Sequence, residues 1–566
     1  MPTAGAVLLS SLVQAGITHV FANWGNDHPA FLEELERQRV EQGKTVIEVV
    51  TSPNEMVALS AAQGFSQVTG RPSAVIVHVD VGTQGLAGAI HNVDRGHTPV
   101  LIFAGAAPFS GQGELKGSKN EWPMWKQDVP DQAAIVRQYM RYTAQILSGK
   151  NISKMVMRAL QIATSLPQGP VYLYARREVL EEDVDPSFAK IQPKLWPSIA
   201  PAGLSPDSVT TIITALSQAR FPLVITGYIG RKPQAVPPLL RLSELLGIAL
   251  FATAPSAICV PYSHPHFLGQ SFGGKNLLLE EADLILIIDT EVPWVDMDDN
   301  APRSDAKVFV IDIDPLKKTM GWSHVDANLI CEADSQVALE QLVKAAESLG
   351  NDMLESQSLA KRKEELVTRH NDFIGRLDAL ESSLQDESAP DARFVFTTLR
   401  QTIEEVTPSR GQRTLWLNES ITNYPASFDH LRPDRPGSML ISGGSSLGWM
   451  LGAAVGITLG ARSIEKDYDL MPYLTIILNN GGWAAPKNSL MGVYPDGHGS
   501  KANGERLSIG FGPDMPDYSG IAAAAGGAWA KRVTDMRELK DAIKEGIRVV
   551  IEEKRCAVLD CIIESI

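Results

Sequence analysis

Cysteine is scarce in this chain of 566 residues, and its four thiols, Cys259, Cys331, Cys556 and Cys561, form neither a disulfide framework nor the paired spacing of a zinc site. A reducing compartment follows as the expectation, with a cytoplasmic location and buried structural thiols. Basic excess is missing too. With 51 Lys and Arg against 66 Asp and Glu, the formal charge of -15 argues against nucleic-acid or anionic-membrane partners, which need a basic surface to pair with phosphate. No apolar run reaches the roughly 18 residues of a membrane span. The start, Met1-Pro-Thr-Ala-Gly5, lacks a charged leader with an apolar core, and Glu564-Ser565-Ile566 is no peroxisomal address. Short repeats and low-complexity tracts are also absent. What remains is a globular composition, 44% hydrophobic and 21% charged, long enough for roughly three to four domains. Small-molecule chemistry in a cleft is the expectation.

Strand and helix patterns alternate in three blocks. The first carries helix patterns at Val7 to Ala15, Pro29 to Arg39 and Asn54 to Thr69. Between them lie short apolar runs at Val46 to Val50, Ala74 to Val79, Val100 to Ala104 and Val171 to Tyr174, the rhythm of a parallel sheet covered on both faces. A Pro-rich connector, Pro186 through Pro206, precedes a second block with strands at Pro222 to Thr226, Leu284 to Asp289 and Val308 to Asp312. The charge-rich stretch from Asp352 to Asp386 reads as a solvated helical linker. The third block ends in a helix at Met536 to Glu553 and a strand at Ala557 to Ile563. The fold class expected is α/β, with three doubly wound parallel-sheet domains over 1–185, 205–345 and 390–566.

Several short motifs admit a local and a chemical reading. Ser52-Pro53-Asn54-Glu55 follows a strand and reads locally as a capping box, with Ser52 as the cap and Pro53 at the first helical position. Its chemical reading is a carboxylic acid at a strand-helix junction, able to donate to a ring nitrogen. In Ala74-Val-Ile-Val-His78-Val-Asp80-Val-Gly82, alternation puts His78 and Asp80 on one face, and Gly82-Thr83-Gln84-Gly85 reads as a flexible turn at the ligand-binding edge of a parallel sheet. His78 is either a satisfied structural histidine or a catalytic one. His28, in Gly25-Asn26-Asp27-His28-Pro29, has the same two readings, with Asn26 and Asp27 as turn and cap residues. Gly443-Gly444-Ser445-Ser446 precedes an apolar helix and is suited to an anion at a helix N-terminus. Asn479-Asn480-Gly481-Gly482 reads as a turn after a strand. Gly227-Tyr-Ile-Gly230 lacks the full dinucleotide fingerprint, so FAD is not expected.

Taken in order, these signals resemble the thiamine-diphosphate-dependent family of 2-oxo acid decarboxylases and acetolactate synthases along nearly the whole chain. The resemblance implies an N-terminal pyrimidine-binding domain, a central domain and a C-terminal diphosphate-binding domain. Glu55, followed by Gly64-Phe-Ser-Gln-Val-Thr-Gly70, matches the family's activating glutamate, which hydrogen-bonds the cofactor's aminopyrimidine ring. Leu447 falls on the bulky residue that bends the cofactor, and Ser445 on the carbonyl that accepts from its amino group. Gln84, Asn418 and Thr422 are cofactor contacts by the same resemblance, the last two at the strand end Asn418-Glu419-Ser420-Ile421-Thr422. Asn480 and the carbonyl of Gly482 fall on two of three protein Mg²⁺ ligands. His78 matches a catalytic histidine of benzoylformate-decarboxylase-like enzymes, with His28 as a second proton carrier. Lys126-Gln127-Asp128-Val129-Pro130 resembles the synthases' Phe-Gln-Glu-Thr-Pro. The implied activity is decarboxylation and/or carboligation of a small 2-oxo acid by a homodimer or homotetramer, in which the pyrimidine-binding domain of one chain faces the diphosphate-binding domain of another.

One part of the pattern is missing. The family carries a Gly-Asp-Gly segment between the glycine-rich run and the Asn pair, and its Asp is the third metal ligand. Here the helix pattern from Leu447 to Gly460 leads through Ala461 to Tyr473 directly into the strand Leu474 to Leu478. A strand-helix unit of roughly 25 to 30 residues is absent by this comparison. Asp467 and Asp469 are the nearby carboxylates. A second reading follows, a cofactor-poor non-catalytic homologue or regulatory partner of a full-length enzyme.

Overall fold

Runs of β-branched and aliphatic residues with no polar partner become strands buried on both faces, which requires helices on each side of the sheet. The computed structural model, describing residues 1–295, 300–320, 325–384, 391–464, 472–512 and 514–566, builds three such regions. In the first, β1 (His19–Ala22), β2 (Glu48–Thr51), β3 (Ser73–Val77), β4 (Val100–Ala106), β5 (Tyr142–Ile146) and β6 (Val171–Arg176) form one sheet in the order β2-β1-β3-β4-β6-β5. Its core lies on two faces set by period-2 alternation: Ala74, Ile76, Leu101 and Phe103 pack on one, Val75, Val77, Ile102 and Ala104 on the other.

A second sheet contains β7 (Pro222–Thr226), β8 (Ala249–Thr253), β9 (Phe267–Ser271), β10 (Leu284–Ile288), β11 (Lys307–Asp312) and β12 (Leu329–Glu332), in the order β12-β11-β10-β7-β8-β9. Gly227 and Gly230 have a packing reason, since a Cβ there would lie 2.6 Å from the Thr253 carbonyl oxygen and 2.1 Å from that of Ile258. The stretch expected to be a solvated linker is instead a packed helix, Gln357–Ser383. Leu366 joins the core of the second sheet, His370 Nδ1 lies 2.8 Å from the Phe267 carbonyl oxygen, and Arg369 pairs with Glu281 at 2.8 Å. Charge hid an apolar stripe.

The third region is parallel as well, but its strands stand in two sheets: β13 (Trp416–Leu417) with β14 (Met439–Leu440), and β15 (Leu474–Asn479), β16 (Trp529–Val533) and β17 (Ala557–Ile562) in the order β15-β17-β16. By rank along the chain the first sheet reads 2-1-3-4-6-5. With rank three left vacant, the third region reads 2-1 and 4-6-5. Strand β15 therefore has β17 as its one partner among the described residues, and Leu474, Ile476, Ile477 and Leu478 are half-buried, whereas β4, at the corresponding rank, is buried throughout.

Two compact units divide the chain: Met1–Pro201 with the segment beginning at Ile441, and Ala202–Leu440 with the C-terminal stretch ending at Ile566. No helix among the described residues is long and apolar enough to cross a membrane. All four cysteines are free, and burial pushes the Cys259 and Cys561 thiols up to about 12.

Candidate active site

Glu55 opens the helix Glu55–Thr69, capped by Asn54, whose Oδ1 accepts from the Met56 N–H at 2.8 Å. Ser52 is not the cap: its N–H donates to the Ala22 carbonyl at 2.8 Å and its carbonyl accepts from Asn23, which holds it at the sheet edge. The Glu55 carboxylate is half-buried and makes no hydrogen bond within the described residues. Glycine makes its space, because a Cβ at Gly85 would stand 2.5 Å from Oε2 and one at Gly82 3.4 Å from Oε1.

The Glu55 helix crosses the helix Trp449–Ile464 closely enough that side chains larger than hydrogen are excluded along the seam. A Cβ at Gly64 would lie 2.3 Å from the Ala453 carbonyl oxygen, and one at Gly456 1.8 Å from that of Ala61. Gly448 faces Met56, Gly452 faces Ser60 and Gly460 faces Val68, so the helices run parallel with their N-termini at one end. Leu447, 52% exposed, is thereby set at the same end as Glu55. Its loop is clamped by Asn92, whose Nδ2 donates to the Ser446 carbonyl at 2.9 Å and whose Oδ1 accepts the Ser446 N–H at 3.1 Å. Gln63 Nε2 holds the Ser442 carbonyl at 2.7 Å, and Ser446 Oγ donates to the Gly88 carbonyl at 2.6 Å. The Ser446 N–H is thus committed to protein and not free for an anion. Ser445 remains exposed.

Strand β3 stops at Val77, before His78, and Asp80 takes a left-handed φ of 41°. The expected shared face of His78 and Asp80 is therefore not formed. Gly82 to Gly85 is no flexible turn either, but part of the short helix Val81–Gly85, where Gln84 Nε2 donates to Asp80 Oδ1 at 2.8 Å. His78 turns instead to Asp27. Its Nδ1 makes a short hydrogen bond to Asp27 Oδ1, and the other carboxylate oxygen accepts the Val79 N–H at 3.0 Å. His78 Nε2 lies 3.0 Å from the amide of Gln127. Burial alone would lower the His78 pKa, but Asp27, with Glu55 and Asp80, raises it above the usual histidine value. Burial would raise Asp27, yet His28 and His78 hold it below the usual carboxylate range.

His28 is fully buried. Its Nδ1 accepts the Gly25 N–H at 3.1 Å, which leaves the proton on Nε2, 3.5 Å from Asp27 Oδ2. Burial lowers its pKa against the opposing charge of Asp27, behind which the ring stands. Beside Gln127 a small cleft of about 40 Å³ is lined by Asp128, Gln132, Gln145, Tyr174 and Arg176.

The remaining sequence candidates lie in the other unit. Asn418, just past β13, is buried and engaged: Nδ2 donates to Ser427 Oγ at 2.6 Å, and Oδ1 accepts from the Ser420 N–H and hydroxyl. Thr422 is half-buried in a turn. After β15, Asn479 is tied to Pro516 and Asp560, while Asn480 Oδ1 accepts the Gly482 N–H at 3.3 Å. Gly482 needs its missing Cβ, which would lie 2.3 Å from the Ile509 carbonyl oxygen. Asp467 and Asp469 fall outside the described residues.

The Glu55 end fits an aminopyrimidine, since it offers an unpaired carboxylate in a space that glycines keep open. The loop after β15 offers Mg²⁺ one carboxamide and one carbonyl oxygen. Among the described residues no three His, Cys, Asp or Glu side chains gather to hold a metal. Among the described residues this loop brings Mg²⁺ two neutral oxygens and no carboxylate, where such sites ordinarily use one or two carboxylates beside phosphate and water. Asp27 and Gln127 are the residues sequence reasoning missed. Asp27 was read as a turn residue, and the adjoining His28-Pro29 helix start gave no sign that its carboxylate turns inward.

Three family models match the chain: "Thiamine pyrophosphate enzyme, N-terminal TPP binding domain" over residues 2–135, "Thiamine pyrophosphate enzyme, central domain" over 209–342, and "Thiamine pyrophosphate enzyme, C-terminal TPP binding domain" over 465–561. Among curated proteins, the "Probable 2-ketoarginine decarboxylase" of Pseudomonas aeruginosa is 24% identical, over 96% of this chain and 92% of that one. The acetolactate synthase of Bacillus subtilis is 21% identical, over 80% and 74%. Among solved structures, benzoylformate decarboxylase from Polynucleobacter necessarius shares the fold, with a TM-score of 0.73 at 18% identity, covering 100% of this chain and 99% of that one.

Proposed function

Because the chain belongs to the thiamine pyrophosphate enzyme family, we propose that it catalyses thiamine-diphosphate-dependent decarboxylation and/or carboligation of a small 2-oxo acid, in the manner of acetolactate synthases and benzoylformate decarboxylases. The observation that carries this reading is the unpaired Glu55 carboxylate beside a histidine that a buried Asp orients. When bound, the cofactor supplies the electron sink that loss of CO₂ from a 2-oxo acid requires. Glu55 holds a proton at the pyrimidine ring nitrogen. Leu447 presents an exposed apolar side chain at the same end, which would pack against the bound cofactor, and the carbonyl of Ser445 would be available to its amino group. His78, raised toward the charged form, moves a proton at the reacting carbonyl, and His28 sustains it indirectly through Asp27. Gln84 and Thr422 would add cofactor contacts, while Asn418, engaged by Ser427 and Ser420, would shape that strand end from behind, and Asn480 with the Gly482 carbonyl would hold Mg²⁺ with one protein ligand fewer than the family uses.

The active form is a homo-oligomer, a dimer at least. The alternative, a non-catalytic partner of a full-length enzyme, is less favoured because all three enzyme domains are matched. CO₂ release from a panel of 2-oxo acids is expected to require thiamine diphosphate, and Glu55→Gln is expected to lower kcat by about 10²-fold to 10⁴-fold. No turnover of any of them at saturating cofactor and Mg²⁺ counts against the reading. Mixing inactive Glu55→Gln and Asn480→Ala subunits is expected to restore part of the activity.

A further inference from the structure

Space in the first sheet is reserved for one particular side-chain pair. A Cβ at Gly25 would stand 1.9 Å from His78 Nδ1, and one at Gly105, inside β4, 1.6 Å from Asp27 Oδ2. Two glycines on separate segments thus leave room for an Asp-His contact that no other residue at either position would permit. Asp27 is 1% exposed, and both its oxygens are occupied, one by His78 and one by the Val79 N–H. A buried carboxylate so surrounded stays ionised, which fixes the proton of His78 on Nδ1 and turns Nε2 outward.

The outward nitrogen meets Gln127, and the amide there is only half used. Gln127 Nε2 lies 3.0 Å from His78 Nε2, while Gln127 Oε1 is buried without a hydrogen-bond partner. An amide can turn over. With its NH₂ toward His78 it donates to the lone pair of the neutral ring; with Oε1 toward His78 it accepts from the imidazolium. Few side chains serve both protonation states of a histidine from one position.

Resting on the proton-transfer role of His78 proposed above, we infer that Asp27 and Gln127 are positioning residues that let His78 cycle between imidazole and imidazolium without losing its place. In one half-cycle the Nε2–H bond breaks, the proton passes to a basic oxygen of the substrate and the electron pair stays on Nε2. The Nδ1–H remains throughout, and Asp27 keeps its charge. Gln127 turns its NH₂ to the freed lone pair, and the reverse step restores the cation. The charged and titratable groups that face His78 are Asp27, with His28 behind it, Glu55 from its helix and Asp80 from the turn after β3.

The test is a titration of the intact protein with ¹⁵N-labelled histidine, His78 being assigned by His78→Gln. His78 is expected to keep Nδ1 protonated at all pH values and to titrate above the usual histidine value. Asp27→Asn is expected to lower its pKa by about 1 or more, and Gln127→Glu to raise it. The acid limb of the kcat profile is expected to move with it, while KM for the 2-oxo acid changes little. Should Asp27→Asn fail to fold, the Gln127→Glu titration still decides. Unprotonated Nδ1 in the wild type, or a His78 pKa indifferent to both substitutions, would overturn the inference. Absence of thiamine-dependent turnover in a wild type with the expected titration would overturn the proposed reaction and leave the relay standing.

Discussion

The first region holds one six-stranded parallel sheet, whereas the parallel strands of the third stand in two sheets. In the N-terminal sheet, β3 occupies the position between β1 and β4, and the chain leaving it delivers His78 to Asp27. In the C-terminal region, among the described residues, no strand joins β13-β14 to β15-β17-β16. Among the described residues β15 pairs with β17 alone and is half-buried. A parallel sheet is held by neighbours on both edges and helices on both faces, so removing one strand-helix unit removes packing and chemistry together.

Substitutions in equivalent strands are expected to separate the two regions most sharply. Ile102→Ala, in fully buried β4, is expected to cost about 2 to 5 kcal/mol of unfolding free energy. Ile477→Ala, in half-buried β15, is expected to cost about 1 kcal/mol. Denaturant titration measures both, and equal costs would mean that β15 is as well packed as β4. A smaller effect is expected from repair. Inserting a strand-helix unit with a Gly-Asp-Gly turn between Ile464 and Leu474 is expected to tighten Mg²⁺-dependent binding of thiamine diphosphate about tenfold or more, because a carboxylate joins two neutral oxygen ligands. Unchanged affinity in a folded insertion variant would show that the vacancy does not limit the metal site.

The smallest effect concerns pH. His78 has a raised pKa, so its stabilising contribution is complete below about 6.5, the unfolded value, and lost as pH rises through the folded pKa. Asp27 has a lowered pKa, so its contribution is present above about 3.9 and lost as pH falls through its folded value. The difference in melting temperature between the wild type and His78→Gln is expected to shrink from pH 6 to pH 9, whereas Ile477→Ala leaves that trend unchanged.

Apolar runs made the strands legible. Pro222 to Thr226 is the strand its residues announce, because β-branched and aliphatic side chains with no polar alternation suit only a doubly covered sheet. The Gln357–Ser383 helix was misread because its apolar residues are few and spaced among charges. At the site, the strand-helix junction of Glu55 was readable from its local pattern, whereas the place of Leu447 came from the family resemblance alone. Asp27 was not, since its role depends on Gly25 and Gly105, which lie far apart in sequence and meet only through the sheet.

The central proposal is that Glu55 serves the pyrimidine of thiamine diphosphate and that Asn480 with the Gly482 carbonyl offers Mg²⁺ two neutral oxygen ligands. Isothermal titration of thiamine diphosphate into the wild type and Glu55→Gln, each with Mg²⁺ and with chelator, tests it most directly. Binding is expected to weaken on Glu55→Gln and to depend on Mg²⁺ by less than about tenfold, as two neutral oxygen ligands hold the ion poorly. Binding that vanishes with chelator and ignores Glu55→Gln would contradict the account.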